Sequence, residues 1–158
     1  MRLAALKVCH YLYCHIVRPA LFLFDAAAVH NRITSLGKII GYIKPVGWLM
    51  KKITLVDDLS LRQTIGGIYF KNPIGLAAGF DYEAKLTQIL PAIGFGFGTV
   101  GTITNPPCKG NAKPQLGRLI KSRSLLVNKG FKNLGIRETL RRLRRKQFEI
   151  PIGLSIGA

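Results

Sequence analysis

Apolar positions along the chain change period several times, and each change marks a predicted element. Over residues 1 to 52 they recur at helical spacing, as Leu3, Leu6, His10, Tyr13 and Val17, then Leu21, Phe24 and Ala28, then Ile39, Ile40 and Ile43. Arg18-Pro19 interrupts the first run and Gly37 precedes the last, so separate helices are predicted. Arg2, Lys7, Arg32, Lys38, Lys51 and Lys52 fall on the opposite faces. An apolar stripe flanked by cations suits an interfacial helix pair on a membrane, and equally suits helices that cover one end of a core. Residues 53–59 read as a linker. Gly66-Gly67 then joins two short β-type runs, residues 61–65 and 68–70, which is a two-residue hairpin signal.

The centre of the chain carries a different pattern. Residues 74–78 and 98–102 are short apolar runs that end in small residues, separated by a stretch of helix length. That is the pattern of a βαβ unit with parallel strands. Leu86, Ile89, Leu90 and Ile93 predict a helix over 83–93, shortened or bent by Pro91. Residues 105–113, rich in Pro, Gly and Asn, form a loop. Ile136, Leu140 and Leu143 make one stripe of a further helix, with Glu138 placed to pair with Arg142. Residues 151–158 read as a third buried strand. Small residues at strand carboxyl ends let the backbone approach a flat or anionic ligand closely.

Charge and composition narrow the function classes. With 158 residues, a formal net charge of +17, 48% hydrophobic residues and a mean hydropathy of +0.22, the chain is no disordered basic tail. Its charge draws it to anionic surfaces. Arg137, Arg141, Arg142, Arg144, Arg145 and Lys146 could suggest nucleic acid, but no aromatic residues are interleaved for stacking, so a solvated helix face is favoured and no nucleic-acid partner is expected. Cys9, Cys14 and Cys108 have no Cys-x-x-Cys spacing, and no ligand set surrounds His10, His15 or His30, so no metal site is expected. The first segment has no clean cleavage site, and no charge-free apolar run reaches the ~18 residues of a spanning helix. A peripheral position on a membrane in a reducing compartment is the expectation.

The wording of the central segment is more specific. Asn72-Pro-Ile-Gly-Leu-Ala-Ala-Gly-Phe-Asp81, then Gly94-Phe-Gly-Phe-Gly-Thr-Val-Gly-Thr-Ile-Thr104, then Gly110-Asn-Ala-Lys-Pro-Gln115 with Arg118-Leu119, closely resembles the dihydroorotate dehydrogenases. The resemblance covers residues 16–158 and is strongest to class 2, the quinone-dependent, membrane-associated enzymes. Residues 13–22 with Asp25 and His30 resemble the helical extension through which quinone reaches the flavin in that class. The implied fold is α/β: the amino-terminal part of a (β/α)₈ barrel, preceded by a membrane-associating helical extension. Residues 1–52 would form that extension, and 53–158 the hairpin with the first three β/α units. The implied activity is oxidation of dihydroorotate to orotate with FMN and a membrane quinone, in pyrimidine (UMP) biosynthesis, at the cytoplasmic face of the cell membrane.

Carried over position by position, the resemblance implies that Ala77, Ala78, Gly79, Thr102 and Ser155 contact FMN. Tyr82, Asn128, Lys129, Gly130 and Phe131 would contact the substrate. Three positions depart from the family pattern. Tyr82 stands where a lysine is usual, with Lys85 a candidate to restore the charge; Val127 stands where the substrate loop has asparagine; and Ser155 replaces a longer asparagine. These departures suggest a divergent subfamily. The serine base expected in class 2 has no counterpart up to Ala158, so an incomplete barrel is expected, unable by itself to hold FMN tightly or to turn over substrate. Two alternatives stay open: another FMN-dependent barrel oxidoreductase, or a basic membrane- or nucleic-acid-binding module without catalysis.

Overall fold

The computed structural model describes residues 2–158. Helix α1 (Arg2–Leu12) passes through one wide turn, Tyr13–Val17, into α2 (Arg18–Phe22). The expected break at Arg18-Pro19 is therefore absent. The Arg18 N–H already donates to the Tyr13 carbonyl, five residues back. The ladder has thus widened before Pro19, which sits in the first turn of α2, where its missing N–H costs little. The chain turns at Leu23-Phe24, and Asp25 caps α3 (Ala26–Ile40) by accepting the Ala28 N–H at 2.8 Å. Helix α4 (Lys44–Thr54) follows, so residues 53 and 54 are helical rather than linker.

Strands β1 (Gln63–Ile65) and β2 (Ile68–Phe70) form the expected antiparallel hairpin, with positive φ at both Gly66 and Gly67. A parallel sheet follows, built from β3 (Gly75–Leu76), β4 (Phe97–Ile103) and β7 (Ile152–Ile156) in the order β3-β4-β7. Strand β7 was expected to be buried, but Leu154 and Ile156 are exposed. With β4 as its single neighbour, β7 is an edge strand, and burial from one side cannot cover it.

Two further segments differ from expectation. Residues 83–93 form turns ending in one 3₁₀ turn, Leu90–Ile93, rather than an α-helix. Ala84 sits at φ 56°, and the Asp81 carboxylate accepts the N–H groups of Lys85 and Leu86, both at 2.8 Å. The side chain thus takes donors that a helix would give to its own carbonyls. The stretch 116–127 is an antiparallel hairpin, β5 (Leu116–Leu119) with β6 (Ser124–Val127), where motif residues but no strands were foreseen. Helix α5 (Gly135–Leu143) then leads back to the sheet.

The irregular segment nevertheless supplies the core. Leu86, Ile89, Leu90 and Ala92 pack with Ile150, against Ile40 and Met50 of the helices and Leu76 of β3. Ala84, Val100 and Ile103 form a second cluster against Ile136 and Leu143 of α5, and Ile152 touches both. Helix α3 approaches closely because Gly37 has no side chain: a Cβ there would lie 2.6 Å from Leu86 Cδ2.

Candidate functional site

Parallel pairing brings the carboxyl ends of β3, β4 and β7 to one rim. Ala77, Ala78 and Gly79 follow β3 as an exposed shelf. The Gly79 N–H ties this shelf to β4 by donating to the Gly101 carbonyl at 2.7 Å. Gly79 has φ +97°, and a Cβ there would meet nothing within 4 Å. Beside the shelf, Thr102 Oγ1 and Ser155 Oγ lie 2.9 Å apart across the β4–β7 pair. The five residues predicted to contact a cofactor are thus assembled on one rim, two hydroxyls next to an open strip of small residues. A flat ring with polar edges fits this surface, because nothing projects from Gly79 and the hydroxyls can each donate or accept.

The second group lies just beyond. Tyr82 is 6% exposed, and its hydroxyl donates to Asn31 Oδ1 on α3 at 3.2 Å. Its ring stacks on His30 at 5.7 Å between centroids, and Phe80 meets His30 edge-on at 4.9 Å. Lys129 arrives from the loop after β6, with Nζ 4.1 Å from the centroid of the Tyr82 ring. That loop is tied down by backbone and amide bonds: Asn128 N–H to Gln115 O at 2.9 Å, Asn111 Nδ2 to Asn128 Oδ1 at 2.7 Å, and Asn111 N–H to Lys129 O at 3.0 Å. Gly130 and Phe131 both have positive φ and are exposed. Of the residues predicted to meet substrate, Tyr82 and Lys129 are in contact, while Asn128, Gly130 and Phe131 lie along the exposed loop.

Charges around this group are unevenly matched. Burial, followed by the charges of Lys129 and Lys85, holds His30 down to about 4, so its imidazole is neutral at physiological pH. Burial and then the neighbouring Lys132 lower Lys129 to about 8. Burial opposes ionisation of Glu83, yet Lys85 and Arg142 outweigh it and lower the carboxyl. Lys85, the candidate to replace a cation at position 82, is instead held by Glu83 Oε2 at 2.7 Å.

Several residues here escaped the sequence reading. Asn133 is buried and accepts the N–H groups of Thr104 (3.3 Å) and Gly135 (2.7 Å) while donating to Thr104 Oγ1 and Phe131 O. It thereby fixes the loop's far end. Gln115, Asn111 and Lys132 complete the scaffold; the local richness in amide side chains was a signal, but the Asn111–Asn128 and Gln115–Lys132 bonds join residues far apart in the sequence. Away from the rim, Arg118 clamps the end of α2, donating to the carbonyls of Leu21 and Phe24 beneath the Phe22 ring. A cavity of about 730 Å³ opens there, lined by Arg18, Pro19, Phe22, Arg118, Arg123 and Leu125, among others. Among the described residues, no group of three or more His, Cys, Asp or Glu is arranged to hold a metal.

Fold and rim together define an α/β protein whose candidate site lies at the carboxyl ends of parallel strands. The sequence model described as "Dihydroorotate dehydrogenase" matches residues 60–158. A protein from Allorhizobium ampelinum named "Dihydroorotate dehydrogenase (quinone)" is 41% identical over 142 residues, which are 89% of this chain and 37% of that protein. Proteins of the same name from Rhizobium meliloti and Mycobacterium tuberculosis are 40% and 38% identical, over 91% and 90% of this chain. Among solved structures, DHODH of Eimeria tenella in complex with ferulenol superposes with a TM-score of 0.58 and 36% identity, over 72% of this chain and 34% of that one. The chain belongs to the dihydroorotate dehydrogenase family, and the relatives it matches carry the quinone-dependent name. It spans 37–40% of the length of these three relatives.

Proposed function

We propose that the protein takes part in oxidation of dihydroorotate to orotate with FMN and a membrane quinone, as a step of pyrimidine (UMP) biosynthesis. The observation that carries this reading is the rim itself, where an unobstructed shelf of small residues adjoins a pair of hydroxyls at parallel strand ends. Ala77, Ala78 and Gly79 would lie against the isoalloxazine, and Thr102 and Ser155 would hydrogen-bond its polar edge. FMN, when bound, supplies the hydride acceptor and passes electrons on. Tyr82, Asn128, Lys129, Gly130 and Phe131 would form the substrate side, where burial against His30 keeps the Tyr82 ring fixed and dry. In this reading residues 53–158 furnish the hairpin and the first three β/α units of a barrel.

Residues 1–52 would be the membrane-associating extension, seated peripherally on the cytoplasmic face of the cell membrane. Support comes from exposed apolar side chains on its helices, including Leu3, Tyr11, Ile16, Ile39 and Trp48, interspersed with Lys7, Arg18 and Lys52. Among the described residues no helix is long and apolar enough to cross a membrane.

The test is dihydroorotate-dependent reduction of a quinone analogue by the protein produced from its complete reading frame, with flavin identified after denaturation. Orotate formation with FMN in the preparation is the expected result. A flavoprotein that ignores dihydroorotate but reduces quinone with another donor would overturn the substrate assignment.

A further inference from the structure

Arg118 fastens the β5–β6 hairpin to the end of α2. Its guanidinium donates to Phe24 O at 2.6 Å and to Leu21 O at 3.3 Å, and lies 4.6 Å from the centroid of the Phe22 ring. The hairpin tip and the end of α2 are therefore neighbours, and Phe22, Ile120 and Arg123 line one cavity between them. The tip is a turn that satisfies its own polar groups. The Arg123 N–H donates to Ile120 O at 3.2 Å, and Ser122 Oγ lies 3.3 Å from Leu119 O and 2.7 Å from Ser124 Oγ.

The long side chains left in solvent are of two kinds. Ile120 is 69% exposed and Leu23, at the end of α2, is 84% exposed, with Phe24 and Leu119 exposed beside them. Lys121 and Arg123 are exposed too, and neither makes an ion pair among the described residues. No acidic residue occurs over 1–24 or over 84–137, so neither segment carries a carboxylate to offset these cations. Asp25, the acid next in sequence to the α2 end, is engaged in capping α3. Apolar groups in water are costly, and unpaired cations among them do not suit a dry apolar cover. A lipid interface suits both, because aliphatic tips enter the acyl boundary while the ammonium and guanidinium groups reach the phosphates.

We infer that the β5–β6 tip, residues 119–123, dips into an anionic lipid surface together with the end of α2. This rests on the peripheral-membrane reading of residues 1–52 and deepens it: a hairpin from residues 53–158 becomes a second point of contact, and two contacts fix how the molecule is tilted on the lipid where one leaves it free to pivot.

The experiment uses the protein produced from its complete reading frame and vesicles of phosphatidylcholine with or without phosphatidylglycerol. The emission that Ile120→Trp adds over wild type should shift to the blue on the mixed vesicles and be quenched by lipid brominated in its acyl chains. Lys121→Gln combined with Arg123→Gln should bind the mixed vesicles about 25-fold less tightly than wild type, at about fivefold for each cation near an anionic surface. Lys121→Arg should bind as wild type does. Tryptic cleavage of wild type after Lys121 and Arg123 should slow on the mixed vesicles while cleavage after the exposed Arg144 and Arg145 does not, a measurement that needs no variant to fold. Wild type that binds the mixed vesicles while the added emission stays unshifted and unquenched and cleavage at the tip stays unslowed overturns the inference: residues 1–52 then make the contact alone, and the tip is left for a protein partner. A double Gln variant that binds as tightly as wild type overturns the part given to Lys121 and Arg123. Wild type that ignores both kinds of vesicle overturns the membrane reading itself.

Discussion

Replacing Gly79 by alanine separates the backbone's needs from the ligand's. At φ +97° an L-residue is strained by about 1–2 kcal/mol. Because a Cβ would meet nothing within 4 Å, no clash adds to that cost in the flavin-free protein. At ~2–4 °C per kcal/mol for a chain of this size, the melting temperature should fall by about 2–8 °C. Gly101→Ala is the matched control: its φ is +117°, but its Cβ would lie 2.6 Å from the Ser155 carbonyl oxygen and 3.0 Å from Ile103 N. Overpacking against backbone adds about 1–3 kcal/mol, so this variant should melt distinctly lower. With flavin the order changes. A methyl group on the Gly79 shelf intrudes where a ring would lie, and the same ~1–3 kcal/mol now weakens FMN binding by about 5- to 150-fold. Thermal melts of flavin-free protein, and fluorescence titration with FMN of the protein produced from its complete reading frame, give both numbers. Gly79→Ala protein that melts as calculated yet binds FMN as tightly as wild type would refute the placement of a ring over this shelf.

Three further outcomes follow from named contacts. His30 has a folded pKa near 4 against 6.5 when free, so the unfolded state takes up its proton first as pH falls. Its stabilisation is complete above pH 6.5 and is lost towards pH 4; about 1–2 kcal/mol is expected after discounting for its partial exposure, and the difference between wild type and His30→Gln in urea midpoints across that range measures it. Leu90, 1% exposed at the centre of the larger core cluster, should cost ~2–5 kcal/mol when truncated to alanine, read from urea unfolding. Trp48 is exposed on α4 with Lys52 Nζ 3.6 Å above its ring, so its emission should shift to the blue on mixing with anionic vesicles and return as salt is raised. An emission spectrum indifferent to anionic vesicles argues against α4 lying on a membrane.

The elements legible in the sequence are those whose burial follows a local period. The Gly66-Gly67 hairpin, strand β4 and helix α5 each carry their own pattern, and each formed where it was expected, whereas α3 runs unbroken through Gly37, where separate helices were expected. Residues 83–93 carry a helical pattern too, yet the same apolar side chains reach the core from turns. The period reports which residues are buried, and here Asp81 and the positive φ of Ala84 chose a different backbone to bury them. The β5–β6 hairpin went unseen for the opposite reason: its strands are short and largely exposed, so no alternation marks them.

By itself the sequence determined the family, the parallel unit at its centre and the residues gathered on one rim, because glycines and short apolar runs act through local backbone geometry. Only the tertiary structure decided the charges. Lys85, nearest in sequence to the missing cation, is taken by Glu83, whereas Lys129, distant in the chain, reaches Tyr82. Electrostatic pairing depends on distance in space and on burial, and neither quantity can be read from spacing along a chain.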